Sequence, residues 1–348
     1  MPSDSTLTLF IPDLFGFQST LNSLSSEEKS SLPEFVLPTL EKWLSRGLFE
    51  KSYNQEDSVF LELGLEHYKE KPFAALSLLA EETNLEFDNS IYWLRADPVN
   101  LQPDRDTALL AGHEELALSQ EEADKLVTQI NKHFIDEPWE LYSLAPHRWY
   151  LRSEKPIALN TIPLAKVIGE DINQFSPSGN DSDYWSKIVN ELQMLIHNSS
   201  VNFERESHNI WTANSVWLWG GGCLSGNSQT NVYDTILSNN IIFKGVAHHG
   251  NFNHLSLDNT FYKSINENSH FIVLDTLSEQ VQRRDLYTFV NTLNIMESEY
   301  LIQCNKLLIN GSVGIIKLIT DVGVFSITKK SLGRWWKRVK PFPLTHYE

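Results

Sequence analysis

Short apolar runs of strand length alternate along this chain with segments of helical period, and this alternation constrains the fold more than any other feature. Thr6-Leu-Thr-Leu-Phe-Ile-Pro12 is nearly all apolar and runs into Asp13. It reads as a first strand buried on both faces, with Pro12 marking where pairing stops. Similar runs recur at Ser215–Trp219, Ile242–Val246, Phe271–Leu274, Lys306–Ile309 and Val324–Ile327. Helical segments lie between them. Over Pro38–Gly47, Leu40, Trp43 and Leu44 share one face and Gly47 is placed to end the helix. Residues 72–82 form a second helix, and 19–31, rich in Ser and Glu, a loop or a short capped helix. Ser119 followed by Glu122 is a capping-box pattern, and Leu126, Ile130 and Phe134 continue its apolar face. Trp185, Ile188, Val189, Leu192 and Leu195 repeat at helical spacing over 183–197. Strands alternating with helices imply an α/β fold with a mostly parallel sheet covered on both sides. Strand-like pieces at Ser90–Arg95, Trp149–Leu151 and Leu159 surround the capped helix. They set off residues 90–170 as a smaller inserted lobe, leaving 1–89 and 171–348 as the core.

Composition narrows the partners. With 45 acidic and 28 basic residues the formal charge is −17, which repels nucleic-acid backbones unless a local patch reverses it. No nucleic-acid partner is expected. No run approaches the ~18 apolar residues of a membrane span. Met-Pro-Ser-Asp-Ser lacks the basic start and apolar core of a signal peptide, and Cys223 and Cys304 imply no disulfide framework. A cytoplasmic protein is the expectation.

Ligands of open α/β sheets bind beyond the carboxyl ends of the strands. Three strand ends carry suggestive residues: Asp13, the tract Gly220-Gly221-Gly222 after Trp217-Leu-Trp219, and Asp275. The glycines could form an anion-binding nest of N–H groups or simply a tight turn. The aspartates could hold a divalent metal or cap the next helix. Neither a Walker loop nor a GxGxxG fingerprint is present. His248, His249 and His254 are candidates for zinc ligands or a general base, although adjacent histidines in an extended segment face opposite ways. Arg95, Asp97 and Arg105 could receive a phosphate or carboxylate, or could neutralise one another. Asn202 and Arg205 either face the crevice or tie the lobes together. Lys329–Lys340 interleaves cations with Trp335 and Trp336. That stretch suits a membrane surface or an acidic partner, with docking onto the chain's own acidic surface as the expectation.

At Leu94-Arg-Ala-Asp-Pro-Val-Asn-Leu101, Val201-Asn-Phe-Glu-Arg205 and Asn214-Ser-Val-Trp-Leu-Trp-Gly-Gly-Gly222 the chain resembles the bacterial RpfE-type regulatory protein family, through to the basic Arg334-Trp-Trp-Lys337. Over roughly residues 90–250 it more distantly resembles the archaeal-type cofactor-independent phosphoglycerate mutases, which carry a similar Val-Asn-x-x-Arg, then Ala-Asn and a Trp-Gly turn, here Ala213-Asn214 and Trp219-Gly220. The resemblance implies an alkaline-phosphatase-like core with an inserted lobe. Such mutases use two divalent metals and a phosphorylatable serine. Asp13 falls where their first metal-binding aspartate lies. Around Pro72-Phe-Ala-Ala-Leu-Ser77 there is no Gly/Ser-rich nucleophile loop, Asp275–Asp285 contains no histidine, and Leu307–Gly311 has no Asp-His pair. The resemblance therefore implies a non-catalytic or catalytically altered relative, a regulatory or ligand-binding protein without a cofactor. Its ligand would be a phosphorylated or carboxylate metabolite held by Arg95, Asp97, Arg105, Asn202, Arg205 and the three glycines. One alternative is a phosphomutase or phosphatase holding Mn or Zn through Asp13, Asp275 and His248 or His249. Another is a protein-interaction module that captures a protein partner through the basic tail.

Overall fold

A computed structural model describes residues 5–342 apart from 53, 82–87, 105–106, 169, 176, 225–232, 259, 264 and 266–267. The described strands are β1 (Thr6–Phe10), β2 (Leu48–Lys51), β3 (Tyr92–Asp104), β4 (Thr107–Ala111), β5 (Trp139–Ala145), β6 (Arg148–Ser153), β7 (Ser215–Gly222), β8 (Thr235–Leu237), β9 (Asn253–Leu255), β10 (His270–Val273), β11 (Ile315–Ile319) and β12 (Gly323–Thr328). The chain divides into two compact units, Met1–His67 with Asn227–Glu348, and Tyr68–Gly226. The second extends past the expected 90–170 segment at both ends, because β7 pairs with β3 and the helix Phe73–Ala80 packs on β7.

The first unit holds a seven-stranded sheet in the order β2-β12-β11-β1-β10-β8-β9. β11, β1, β10, β8 and β9 run parallel, and β12 and β2 close one edge antiparallel. The fold is thus mixed α/β with a mostly parallel sheet. β1 is buried on both faces, as its apolar run demands. Leu7 and Leu9 join a core with Trp43, Phe289, Leu293, Ile316 and Leu318, each such side chain contributing about 1.5–3 kcal/mol. Thr8 faces the other way and meets the Tyr233 hydroxyl at 2.7 Å, which also lies 2.7 Å from Glu62 Oε2. The helix Pro38–Arg46 starts on a proline, and its orphan N–H groups at Thr39 and Leu40 donate to the carboxylate of Glu297 at 2.8 and 3.0 Å.

Two apolar runs expected as strands are helical. Ile242–Val246 lies in the helix Ile241–Gly250, and Lys306–Ile309 in the helix Ile302–Asn310. The strand just beyond the second run is β11, which pairs with β1.

The second unit is antiparallel throughout its described sheet: β4-β3-β6-β5, with β7 also on β3. The tract expected as a central parallel strand is therefore an antiparallel one, and its glycines are part of the strand itself. The helix Gln120–His133 opens with the Ser119–Glu122 capping box. Together with the helix Ser182–His197 it supplies Leu126, Ile130, Trp185 and Leu192 to a core that also contains Leu94, Leu151 and Leu218.

Candidate functional site

The parallel strands of the first unit carry a row of polar groups at their carboxyl ends. Asp13 follows β1 in a turn, with φ of 57° and its carbonyl accepting the Gly16 N–H at 3.0 Å. Asp275 follows β10 but does not cap the helix Thr276–Gln282. Its Oδ2 instead accepts from Asn240 Nδ2 at 2.8 Å, while Asn240 Oδ1 caps the helix Ile241–Gly250 through the Ile242 N–H at 2.9 Å. A third aspartate, Asp321, sits in the hairpin between β11 and β12. Its Oδ1 accepts the Phe15 N–H at 3.1 Å. Burial pushes the Asp321 carboxyl up to about 6, the Phe15 N–H opposes this, and the neighbouring Asp13 adds to it. Sequence reasoning missed Asp321, although a Leu-Ile-Thr-Asp run ending a strand was the same signal that singled out Asp13.

His248 and His249 do not join this row. They occupy the last turn of the helix whose first turn meets Asp275 through Asn240. Eight residues of helix place them on the order of 12 Å further along the axis. Burial, then His67, holds the His249 imidazole below its ordinary range. Among the described residues no group of three or more His, Cys, Asp or Glu side chains could hold a metal ion. The expected set Asp13, Asp275 and His248 or His249 is therefore not brought together. The described residues line a cavity of about 480 Å³, walled by Leu21, Leu32, Phe35 and Phe342 with Lys29, and another of about 160 Å³, walled by Leu101, Trp185, Gln193 and Trp217. Neither is lined by the strand-end aspartates or by these histidines.

In the second unit the motif residues bind one another. β3 puts Arg95 and Asp97 on one face, two residues apart. Arg95 Nε and Nη2 donate to Asp97 Oδ1 at 2.9 and 2.7 Å, and Nη2 reaches Oδ2 at 2.8 Å. Asp97 also accepts from Trp219 Nε1 at 2.7 Å and from the Trp149 N–H at 3.2 Å. The guanidinium lies 5.0 and 5.1 Å from the ring centres of Tyr150 and Trp219. With Arg95 4% and Asp97 2% exposed, this is a mutually neutralised buried pair. Burial pushes the Asp97 carboxyl up while Arg95 pulls it down. Arg105 lies outside the described residues.

Asn202 and Arg205 have comparable work. Asn202 Nδ2 donates to the carbonyls of Ile196 and Ala213 at 2.8 and 2.6 Å. Arg205 Nε donates to the Trp211 carbonyl at 2.7 Å, Nη1 to Glu122 at 2.8 Å, and Nη2 to the Leu116 carbonyl. Asn214 clamps Leu101 through both ends of its amide, at 2.7 and 3.0 Å. These residues tie the chain before β7 to its neighbours, and their polar atoms face protein.

The three glycines make room rather than a cradle. Gly220 has φ of +67°, and a Cβ there would stand 2.9 Å from Phe73 Cβ. At Gly221 a Cβ would meet the Tyr92 hydroxyl and stand 2.9 Å from Leu94 Cδ1, and at Gly222 it would stand 2.7 Å from Pro72 Cβ. The tract lets β7 lie against the start of the helix Phe73–Ala80. Ser77 in that helix is 0% exposed, with Oγ donating to the Ala74 carbonyl at 3.1 Å and lying 3.2 Å from Tyr150 Oη.

The basic tail is held by its backbone. Arg46 Nη1 and Nε donate to the carbonyls of Leu332 and Lys337 at 2.6 and 3.3 Å, and the Lys340 N–H donates to Ser45 Oγ at 2.9 Å. Two of the tail's own cations add to this, Lys329 Nζ donating to the Ile309 carbonyl at 2.9 Å and Arg334 Nη1 to the Arg46 carbonyl at 3.5 Å.

No protein-family model matches the chain. The 2,3-bisphosphoglycerate-independent phosphoglycerate mutase of Methanosarcina barkeri is 25% identical over 130 residues, covering 37% of this chain and 32% of the enzyme. A probable enzyme of the same name from Geobacter sulfurreducens is 24% identical over 147 residues, 42% of this chain and 37% of its own length. The chain is distantly similar to cofactor-independent phosphoglycerate mutases. It matches only about a third of the length of these relatives. Among solved structures, the PH0037 protein from Pyrococcus horikoshii shares the fold at 13% identity and a TM-score of 0.54, over 94% of this chain and 88% of that one. No described helix is long and apolar enough to cross a membrane.

Proposed function

We propose that this chain is a cytoplasmic, phosphoglycerate-mutase-like protein with an alkaline-phosphatase-like core that acts in regulation or ligand binding, of the RpfE type, and not as a two-metal mutase. The observation that carries this reading is the state of Ser77. A phosphoryl acceptor must approach phosphorus in line, and a hydroxyl with no exposed surface inside a helix cannot do so. The donor set points the same way. A two-metal centre needs several hard or imidazole ligands for each ion, and the strand-end aspartates do not form a group of that size among the described residues. A phosphorylated or carboxylate metabolite is the ligand class suggested by the similarity. Arg95 and Arg205, which spend their donors on protein, would not be its receptors.

The test is turnover of 2- and 3-phosphoglycerate and of p-nitrophenyl phosphate with added Mn²⁺ or Zn²⁺. No turnover above the protein-free rate is expected. Turnover that disappears in Asp13→Asn would refute the reading.

A second reading is favoured by the placement of Asp13, Asp275 and Asp321 at the ends of three adjacent strands. It is a metal-dependent phosphomutase or phosphatase with rearranged ligands, and it requires stoichiometric Mn or Zn in the purified protein by elemental analysis.

A further inference from the structure

Lys329–Lys340 holds six of the chain's 28 basic residues in twelve positions and no acidic residue. Lys329 and Lys330 lie on the short helix Lys329–Leu332; Arg334, Lys337, Arg338 and Lys340 follow it. Among the described residues none of the six forms an ion pair, in a chain of net charge −17. The backbone, in contrast, is pinned along the helix Pro38–Arg46 by Arg46 and Ser45, and the Phe342 N–H donates to Glu41 Oε1 at 3.0 Å. Lys329 and Arg334 spend a donor each on the carbonyls of Ile309 and Arg46, and the pinned backbone presents the exposed Lys330, Lys337, Arg338 and Lys340 together. Trp335 is 81% and Trp336 65% exposed, their rings set edge to face with centres 6.1 Å apart, and Val339 is exposed beside them in sequence.

Two adjacent indoles left in water are costly unless something covers them. The cations around them select a negatively charged cover. Indole and Lys/Arg together are the pair that settles at a lipid headgroup layer, where the ring sits at the boundary and the charge meets phosphate. The net negative charge of the chain does not forbid this, because screening at physiological salt limits each charge to about 8 Å. Both indoles are largely exposed, and projecting rings suit a soft, continuous surface that they can enter.

We infer that Lys329–Lys340 is a peripheral docking surface for anionic lipid headgroups, with Trp335 and Trp336 inserting at the interface. The full chain should float with phosphatidylcholine vesicles containing about 30 mol% phosphatidylglycerol and not with phosphatidylcholine alone. Each cation at the surface is worth about fivefold in partitioning, so Lys330→Gln with Lys337→Gln should weaken binding about 30-fold. Trp335→Ser with Trp336→Ser should weaken it at low salt as well, with an unchanged melting transition because both rings are exposed. Failure to bind anionic vesicles at low salt would overturn the inference, as would binding that survives the double Trp substitution. Equal, Trp-dependent binding to soluble polyglutamate would also overturn it, in favour of an acidic protein partner.

Discussion

Replacing Asp321 with asparagine isolates one electrostatic cost in the row of strand-end carboxylates. The Asp321 carboxylate accepts from the Phe15 N–H and from its own backbone N–H, and is otherwise partly buried near Asp13. Its carboxyl titrates near 6 in place of the ordinary 3.8. The folded state thus holds the proton more tightly than the unfolded chain. Stability from this group is complete below about pH 4 and falls as the pH rises through 6. A gap of about 2 units at 1.36 kcal/mol each amounts to a loss of up to about 3 kcal/mol between those limits. Asparagine keeps an oxygen for Phe15 and cannot ionise. The variant should match the parent at about pH 4 and exceed it by up to about 3 kcal/mol at neutral pH. Urea unfolding of both proteins at a series of pH values measures the difference directly, and titrating groups that do not interact with Asp321 cancel in it. NMR of labelled aspartate carboxyls would give the titration midpoint independently. A stability difference that does not change with pH would refute the reasoning.

Other perturbations address the second unit. Arg95→Met strands the buried Asp97 carboxylate and should cost about 3–5 kcal/mol in urea unfolding, with Asp97→Leu added to it restoring much of the loss. A single-variant cost no greater than that of the double would contradict the pairing. Gly221→Ala forces a methyl group against Tyr92 and Leu94 and should destabilise by about 1–3 kcal/mol. If Gly221→Ala melts like the parent, the packing role of the tract is wrong.

What the sequence made legible was local. The Ser119–Glu122 capping box, the Pro38 helix start and the buried β1 rest on neighbours within a few residues, and each is realised. Apolar runs of four or five residues were not decisive. Ile242–Val246 and Lys306–Ile309 suit a buried helix face as well as a strand, and only the packing chooses. The glycine tract misled because three glycines signal freedom of the backbone without saying what approaches it. Here the approach comes from Phe73 and Pro72, about 150 residues earlier in the chain. The Arg95–Asp97 pair was within reach, since alternate residues of a strand share a face. Its partners Trp149, Tyr150 and Trp219 come from other strands and left no local trace. The resemblance motifs at Asn202, Arg205 and Asn214 marked residues that hold the framework, which is how a distant similarity can be real while the chemistry stays open.

The order of β1 within its sheet has a consequence for synthesis. Its two neighbours, β10 and β11, come from the far end of the chain, and the Thr6 N–H finds its acceptor on Ser269, 263 residues later. At about 5–20 residues per second, the nascent β1 waits on the order of tens of seconds before either edge can be paired. The second unit emerges complete during that interval. Thr6–Phe10 is therefore made long before its sheet partners and stays an unpaired apolar segment until they follow.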